Sequence, residues 1–268
     1  MSPIANCTFT LMLLAAGGVM LSGAQTRSTT ISVRVEKGAF IMGADEGVED
    51  ERPAHRVELE TFFIDRTPVT NAQFADFLNS AGPTNRRGER LFDFDDPDAR
   101  IHKKAERWAA DAGFEHHPVI EVSWLGARDY CVWAAKRLPT EAEWEKAARG
   151  ADGRRYPWGN TAPDRAKAQF NAGWRGTAPV GSFPDGASPY GVLDMAGNAW
   201  EWVSSAYRPY PYTDRDGREN PDPGPVRATR GGGQDSPAEE ITTTQRGRTL
   251  SRNFRSGHHN IGFRCARS

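Results

Sequence analysis

Asp194-Met195-Ala196-Gly197-Asn198-Ala199-Trp200-Glu201-Trp202 is the stretch on which the reading of this chain turns. Carboxylates at 194 and 201 bracket a Gly-Asn turn, and tryptophans flank the second carboxylate. Hard cations such as calcium take oxygen ligands, and a tight loop adds backbone carbonyls to side-chain carboxylates. Around this stretch the chain runs to 268 residues with a formal net charge of -1. That length accommodates roughly one or two domains. The near-neutral charge excludes a nucleic-acid binder, which needs a surplus of Lys and Arg to neutralise phosphates. With 27 glycines, 18 prolines, 8 tryptophans and 13 phenylalanines, the composition points to a loop-rich fold held by aromatic clusters.

Thr8 to Ala24 is uncharged and apolar, and Ser22-Gly23-Ala24 is a small-x-small pattern before Gln25. Residues 1–24 therefore read as an export signal, although Met1 to Cys7 carries no Lys or Arg. The alternative is an uncleaved anchor, for which the apolar run is short. Export predicts a periplasmic or secreted protein with no stable membrane span after cleavage. Cys7 leaves with the signal, and Cys131 and Cys265 remain as an even pair. If bonded, they close a loop of 134 positions. The chain-entropy model then gives roughly 4–5 kcal/mol as an upper figure. Two separate buried thiols are the alternative.

Residues 25–36 are polar and read as a linker, with a domain over 37–268. Lys37 to Gly43 predicts a strand, and Val57 to Asp65 a second. Thr70 with Gln73 forms a capping box before a helix with Phe74, Phe77 and Leu78 on one face. Asn85 to Gly113 reads as irregular, and its aspartates at 93, 95, 96 and 98 as a solvated loop. Val119 to Val122 predicts a short strand. Ser123 caps a helix that Pro139 ends, burying Trp124, Ala127, Cys131 and Ala134. Thr140 and Glu143 make a second capping box, with Gly150 as the stop. Beyond Tyr156 the chain predicts turns and short strands, with Tyr207 to Pro225 as a surface loop.

Several further motifs accompany these elements in order. They are Gly38-Ala39-Phe40-Ile41-Met42-Gly43, Pro68-Val69-Thr70-Asn71, Arg137-Leu138-Pro139-Thr140-Glu141-Ala142-Glu143-Trp144-Glu145, Pro157-Trp158-Gly159-Asn160, and Gly262-Phe263-Arg264-Cys265. From about Lys37 to Ala266 the chain resembles the formylglycine-generating enzyme, or sulfatase-modifying factor, family. The resemblance implies a single α+β, loop-rich domain of the C-type-lectin-like sort. It implies a disulfide between Cys131 and Cys265. It also implies structural calcium held by the side chains of Asp194 and Glu201 and the carbonyls of Gly197 and Ala199. A second calcium site would use Asn171, Ala172 and a downstream Asp, which the shortened Gly173-Trp174-Arg175 loop lacks.

The family's oxidase turns a cysteine of a Cys-x-Pro-x-Arg peptide into formylglycine, using two cysteines that bind Cu(I). Thiolates are soft ligands suited to that ion. Counted from Arg230-Gly231-Gly232, the two positions fall at Ser236 and Ile241, and 233–250 contains no cysteine. Copper is therefore not expected, nor formylglycine generation. Glu239, Glu240 and His258 are the candidates for acid–base work, with histidine poised near neutral pH. Trp200, Arg230, Asp235, Ser236, Arg248 and Asn260 are the expected cleft residues. No zinc spacing, phosphate loop or dinucleotide fingerprint occurs.

Two functions fit. The first is an exported maturation or accessory factor, or an oxidase acting on a secreted metabolite such as a siderophore precursor, with a precedent in relatives lacking the cysteine pair that act in pyoverdine siderophore maturation. The second is a non-catalytic lectin-like binding module. A retained formylglycine-generating oxidase is the third. The partner is an exported peptide, protein or small molecule that the sequence does not name.

Overall fold

The computed structural model describes residues 30–173, 176–221, 226–247 and 255–268. The export-signal expectation over Thr8–Ala24 lies outside these residues, as do Trp174, Arg175, Arg248 and Arg252. Among the described residues no helix is long and apolar enough to cross a membrane.

The chain opens with β1 (Ser32–Val35), β2 (Gly38–Met42), β3 (His55–Leu59) and β4 (Phe62–Asp65). Helix α1 (Asn71–Ala81), the hairpin β5 (Ile101–Lys104) and β6 (Arg107–Ala110), and helices α2 (Trp124–Trp133) and α3 (Glu141–Arg149) follow. Strands β7 (Trp200–Ala206), β8 (Arg227–Arg230), β9 (Ile261–Phe263) and β10 (Ala266–Arg267) complete it. The strands form four small sheets, β1-β4-β10, β2-β3, β5-β6 and β8-β7-β9, so the domain is α+β as expected.

Both capping boxes form: Gln73 N donates to Thr70 Oγ1 at 3.3 Å, and Glu143 N to Thr140 Oγ1 at 3.1 Å. Each satisfies an otherwise orphaned N–H at a helix start. Several expectations need correction. Val57–Asp65 is not one strand; β3 and β4 belong to different sheets. Part of the 25–36 linker is β1, paired with β4. The 85–113 segment contains the β5–β6 hairpin. Val119–Val122 forms only an isolated bridge, Phe92 to Val122. Helix α2 ends at Trp133 rather than at Pro139, because Ala135 takes a left-handed φ of 58°. In the 207–225 loop, Tyr210 and Arg218 turn inward and are buried.

Strand alternation in β7 explains the architecture around the opening motif. Trp200 and Trp202 face one side, within the aromatic core that includes Phe74, Tyr130 and Phe263. Trp202 Nε1 donates to Val122 O at 3.0 Å, and Trp124 Nε1 to Val203 O at 2.8 Å, so each indole secures the backbone near the other tryptophan. Glu201 faces the opposite side. Its carboxylate takes Arg264 in a fork, at 2.6 and 2.7 Å, and the Trp144 indole at 2.9 Å. The Cys131–Cys265 disulfide is formed, with Cα atoms 5.6 Å apart, tying α2 to the two-residue link between β9 and β10.

Candidate functional site

Strand β8 ends at Arg230, and Gly231 and Gly232 turn the chain away at φ of 95° and 77°. A Cβ on Gly231 would lie 2.9 Å from the Trp144 ring, and one on Gly232 2.7 Å from Glu240 O. Only glycine meets both the left-handed backbone and the close approach. The turn carries Asp235 and Ser236 across the start of β7 and into a short 3-10 turn, Ala238–Glu240. The result is a cleft of about 470 Å³, lined by Val48, Trp200, Asp235, Ser236, Pro237, Glu240, Gln245, Arg246, Gly247 and Asn260. A groove of about 550 Å³ shares Val48, Glu240 and Gln245 and adds Glu239 and Glu51. A larger groove of about 860 Å³ lies beside α1, among Phe77, Arg87, Arg128 and Asp129. It gathers none of the candidate residues, so size is a poorer guide here than chemistry.

The cleft thus brings together Trp200, Asp235, Ser236, Glu240 and Asn260, with Glu239 at its extension. Two expected members are elsewhere. Arg230 is buried and is not a cleft contact; its guanidinium reaches Glu145 at 2.5 Å, Glu141 at 3.3 Å and Thr243 O at 2.9 Å. His258 is not on the wall. Its carbonyl accepts from Glu121 N at 3.1 Å, and its ring packs 6.3 Å from Trp202. The neighbouring His259 is not on the wall either, but it contacts a residue that is, Asp235.

His259 Nε2 lies 3.4 Å from Asp235 Oδ2, and Asn260 Nδ2 donates to both Asp235 oxygens at 3.2 and 3.0 Å. The hydrogen bond to Asp235 raises the His259 pKa above its ordinary 6.5, against the opposing effect of burial. The same bond, with Asn260, holds the Asp235 carboxyl below its usual range. Glu240 is pushed the other way, by burial and then by Glu239 and Asp235. A carboxylate held ionised, a carboxyl made easier to protonate and a histidine biased toward its charged form suit proton transfer.

Beneath the cleft lies a buried charge network built by α3. Helical spacing puts Glu141 and Glu145 on one face. Glu141 takes Arg246 Nε at 2.7 Å and Nη2 at 3.2 Å, while Glu145 takes Arg230 and, at 3.2 Å, Arg149. Burial alone would raise Glu141, but Arg246 and Arg230 outweigh it and hold it below its ordinary range. Arg246 thereby reaches the cleft from a fixed base.

Ser236 Oγ accepts from Gly233 N at 3.1 Å. Ile241 is fully buried, packed with Tyr156, Ala168, Phe170 and Ala196, and faces away from the cleft. In the opening motif Asp194 Oδ2 accepts from Gly181 N at 2.7 Å, while Oδ1 is buried with no hydrogen-bond partner among the described residues. Burial pushes this carboxyl up to about 6. An orphaned buried oxygen fits a cation. Glu201 fits less fully: Arg264 and Trp144 take three of the roughly four lone-pair sites of a carboxylate.

Comparison with known proteins gives a consistent result. The profile of the sulfatase-modifying factor enzyme 1-like domain matches residues 19–268. Formylglycine-generating enzyme of Streptomyces coelicolor is 36% identical over 292 residues, covering 91% of this chain and 91% of that protein. Serine/threonine-protein kinase pkn1 of Chlamydia caviae is 37% identical over 89% of this chain, which spans 38% of that protein's length. Hercynine oxygenase of Mycolicibacterium smegmatis is 36% identical over 72% of this chain and 50% of its own. The structure of PvdO from Pseudomonas aeruginosa superposes with a TM-score of 0.63 at 26% identity, covering 88% of this chain and 94% of that one.

Proposed function

Because the chain belongs to the sulfatase-modifying factor enzyme 1-like family, we propose that it is an exported maturation or accessory factor that no longer generates formylglycine. Its cleft takes a polar group of an exported polypeptide or small molecule, and the Asp235–His259 pair holds and moves a proton there. The observation that carries this reading is the chemistry at 236 and 241. A hydroxyl and a core aliphatic side chain stand there, and neither suits Cu(I). Export is supported by the apolar Thr8–Ala24 run and by the buried disulfide. One observation favours a non-catalytic binding module instead: Asp235 already takes both Asn260 and His259.

The pair is tested by the NMR titration of His259. Its midpoint is expected above the ordinary 6.5 and to fall back in Asp235→Asn. The raised His259 pKa and the lowered Asp235 pKa together mean that the pair's stabilisation is full between the ordinary aspartate range, 3.8, and about pH 6.5, fading as pH rises through the histidine midpoint and as it falls through that of Asp235. An identical midpoint in both proteins removes the proton role.

Calcium is part of the same proposal, held by Asp194 with the Gly197 and Ala199 carbonyls and the remaining lone pair of Glu201. The ion supplies charge that the Asp194 carboxylate lacks. In chelated protein the raised Asp194 pKa, about 6 against 3.8, makes its contribution greatest below pH 4 and lost as pH rises through 6. Asp194→Asn is therefore expected to stabilise the chelated protein at pH 7, by at most about 3 kcal/mol, and to reduce the rise in melting temperature caused by calcium. Calorimetry showing no effect of either kind counts against the site.

A further inference from the structure

Away from the cleft and from the Asp194 stretch, the loop read above as solvated aspartates meets Glu121. We propose that Asp96, Asp98 and Glu121 form a second divalent-cation site, best matched to calcium. One carboxylate oxygen from each lies within 4.8 Å of the others. Oxygens bound to one calcium at 2.3–2.6 Å are at most about 5 Å apart, so this spacing admits a shared ion without rearrangement.

Acidic clusters are common on surfaces, but Glu121 is not a surface residue. It is 3% exposed. Its backbone is fixed, with Glu121 N donating to His258 O at 3.1 Å and Glu121 O accepting from Asp93 N at 2.9 Å. A Cβ on Gly257 would come within 2.2 Å of Glu121 O, so that side is closed. Yet among the described residues its carboxylate accepts no hydrogen bond and pairs with no cation. Burying a carboxylate in that state is costly unless a positive partner arrives.

Among the described residues the neighbours do not supply that partner. Arg90 is committed to Asp95, at 2.6 Å. His259 is close enough to act electrostatically on Glu121, but it is hydrogen-bonded to Asp235. Burial, then Asp96 and Asp93, push Glu121 up to about 8. Asp96 Oδ1 accepts the Asp98 N–H at 2.8 Å, which fixes the loop that presents both aspartates. Both aspartates are half-buried, leaving room for water to complete a calcium shell. Calcium is preferred over magnesium because its shell tolerates irregular oxygen sets.

The test is isothermal titration of chelated full-length protein with calcium chloride, for wild type, Glu121→Gln and Asp98→Asn. Each variant is expected to bind one ion fewer than wild type, or to bind it about tenfold more weakly or worse. Asp98 is half-exposed, so Asp98→Asn decides the matter if Glu121→Gln disturbs folding. The readout is a difference in stoichiometry, so it is independent of whether Asp194 binds an ion and of what the cleft does. Unchanged stoichiometry and affinity in a folded Asp98→Asn protein overturns the proposal, as does wild-type protein that binds no calcium at millimolar concentration.

Discussion

Arg230→Met is expected to destabilise the protein by about 3–5 kcal/mol, the cost of breaking a buried ion pair by removing one partner. Arg230 and its partners Glu141 and Glu145 all have fully buried side chains. Removing the guanidinium leaves Glu145 with Arg149 and the Gly43 N–H, and Glu141 with the Arg246 ion pair. It also removes the donor to Thr243 O, which helps hold the segment after the cleft. The melting temperature should fall by roughly 6–20 °C. Much of that loss comes from the stranded charge rather than the lost contact. Arg230→Met combined with Glu145→Met should therefore recover part of it, because a buried pair replaced by apolar groups is often near neutral. A single variant that melts within about 2 °C of wild type contradicts the network's structural role.

Removing the disulfide is the second large effect. Cys131 and Cys265 are both fully buried within the aromatic core, and the bond closes a loop of 134 positions. The Cys131→Ala, Cys265→Ala protein is expected to lose about 2–5 kcal/mol, the upper end coming from chain entropy. Denaturant unfolding reads this as a lower midpoint. If the slope also rises, the unfolded chain has expanded without its cross-link, as the entropic account requires. An unchanged midpoint would show that aromatic packing alone fixes α2 against the end of β9.

The sequence revealed those features whose cause is local. Both capping boxes and the Gly150 stop involve residues a few positions apart, and all of them form. The β5–β6 hairpin was illegible. Its strands carry Lys103, Lys104 and Arg107, and its two-residue turn is Ala105-Glu106, with Ala105 at φ of 54° where Asn or Gly would have signalled it. Helix α2 ends at Trp133, ahead of two alanines that carry no stop signal of their own.

At the site, residues contributed by one segment were readable and residues defined by distant partners were not. Trp200, Asp235, Ser236 and Asn260 reach the cleft from short segments whose motifs placed them. Arg230 was misplaced because Glu141 and Glu145, which bury it, lie on α3, 85 or more positions earlier. His259 rather than His258 meets Asp235 because His258 spends its carbonyl on Glu121 and its ring on Trp202. Adjacent residues at a strand entry face different ways, and composition carries no information about which one is chosen.

The most direct test of the central claim loads the purified protein with copper(I) and incubates it with a Cys-x-Pro-x-Arg peptide in the presence of dioxygen, followed by mass spectrometry. No aldehyde is expected to form, and any disulfide made by copper and dioxygen should match a control without the protein. Conversion of the peptide thiol to an aldehyde would contradict the account, because Ser236 and Ile241 offer the metal no sulfur.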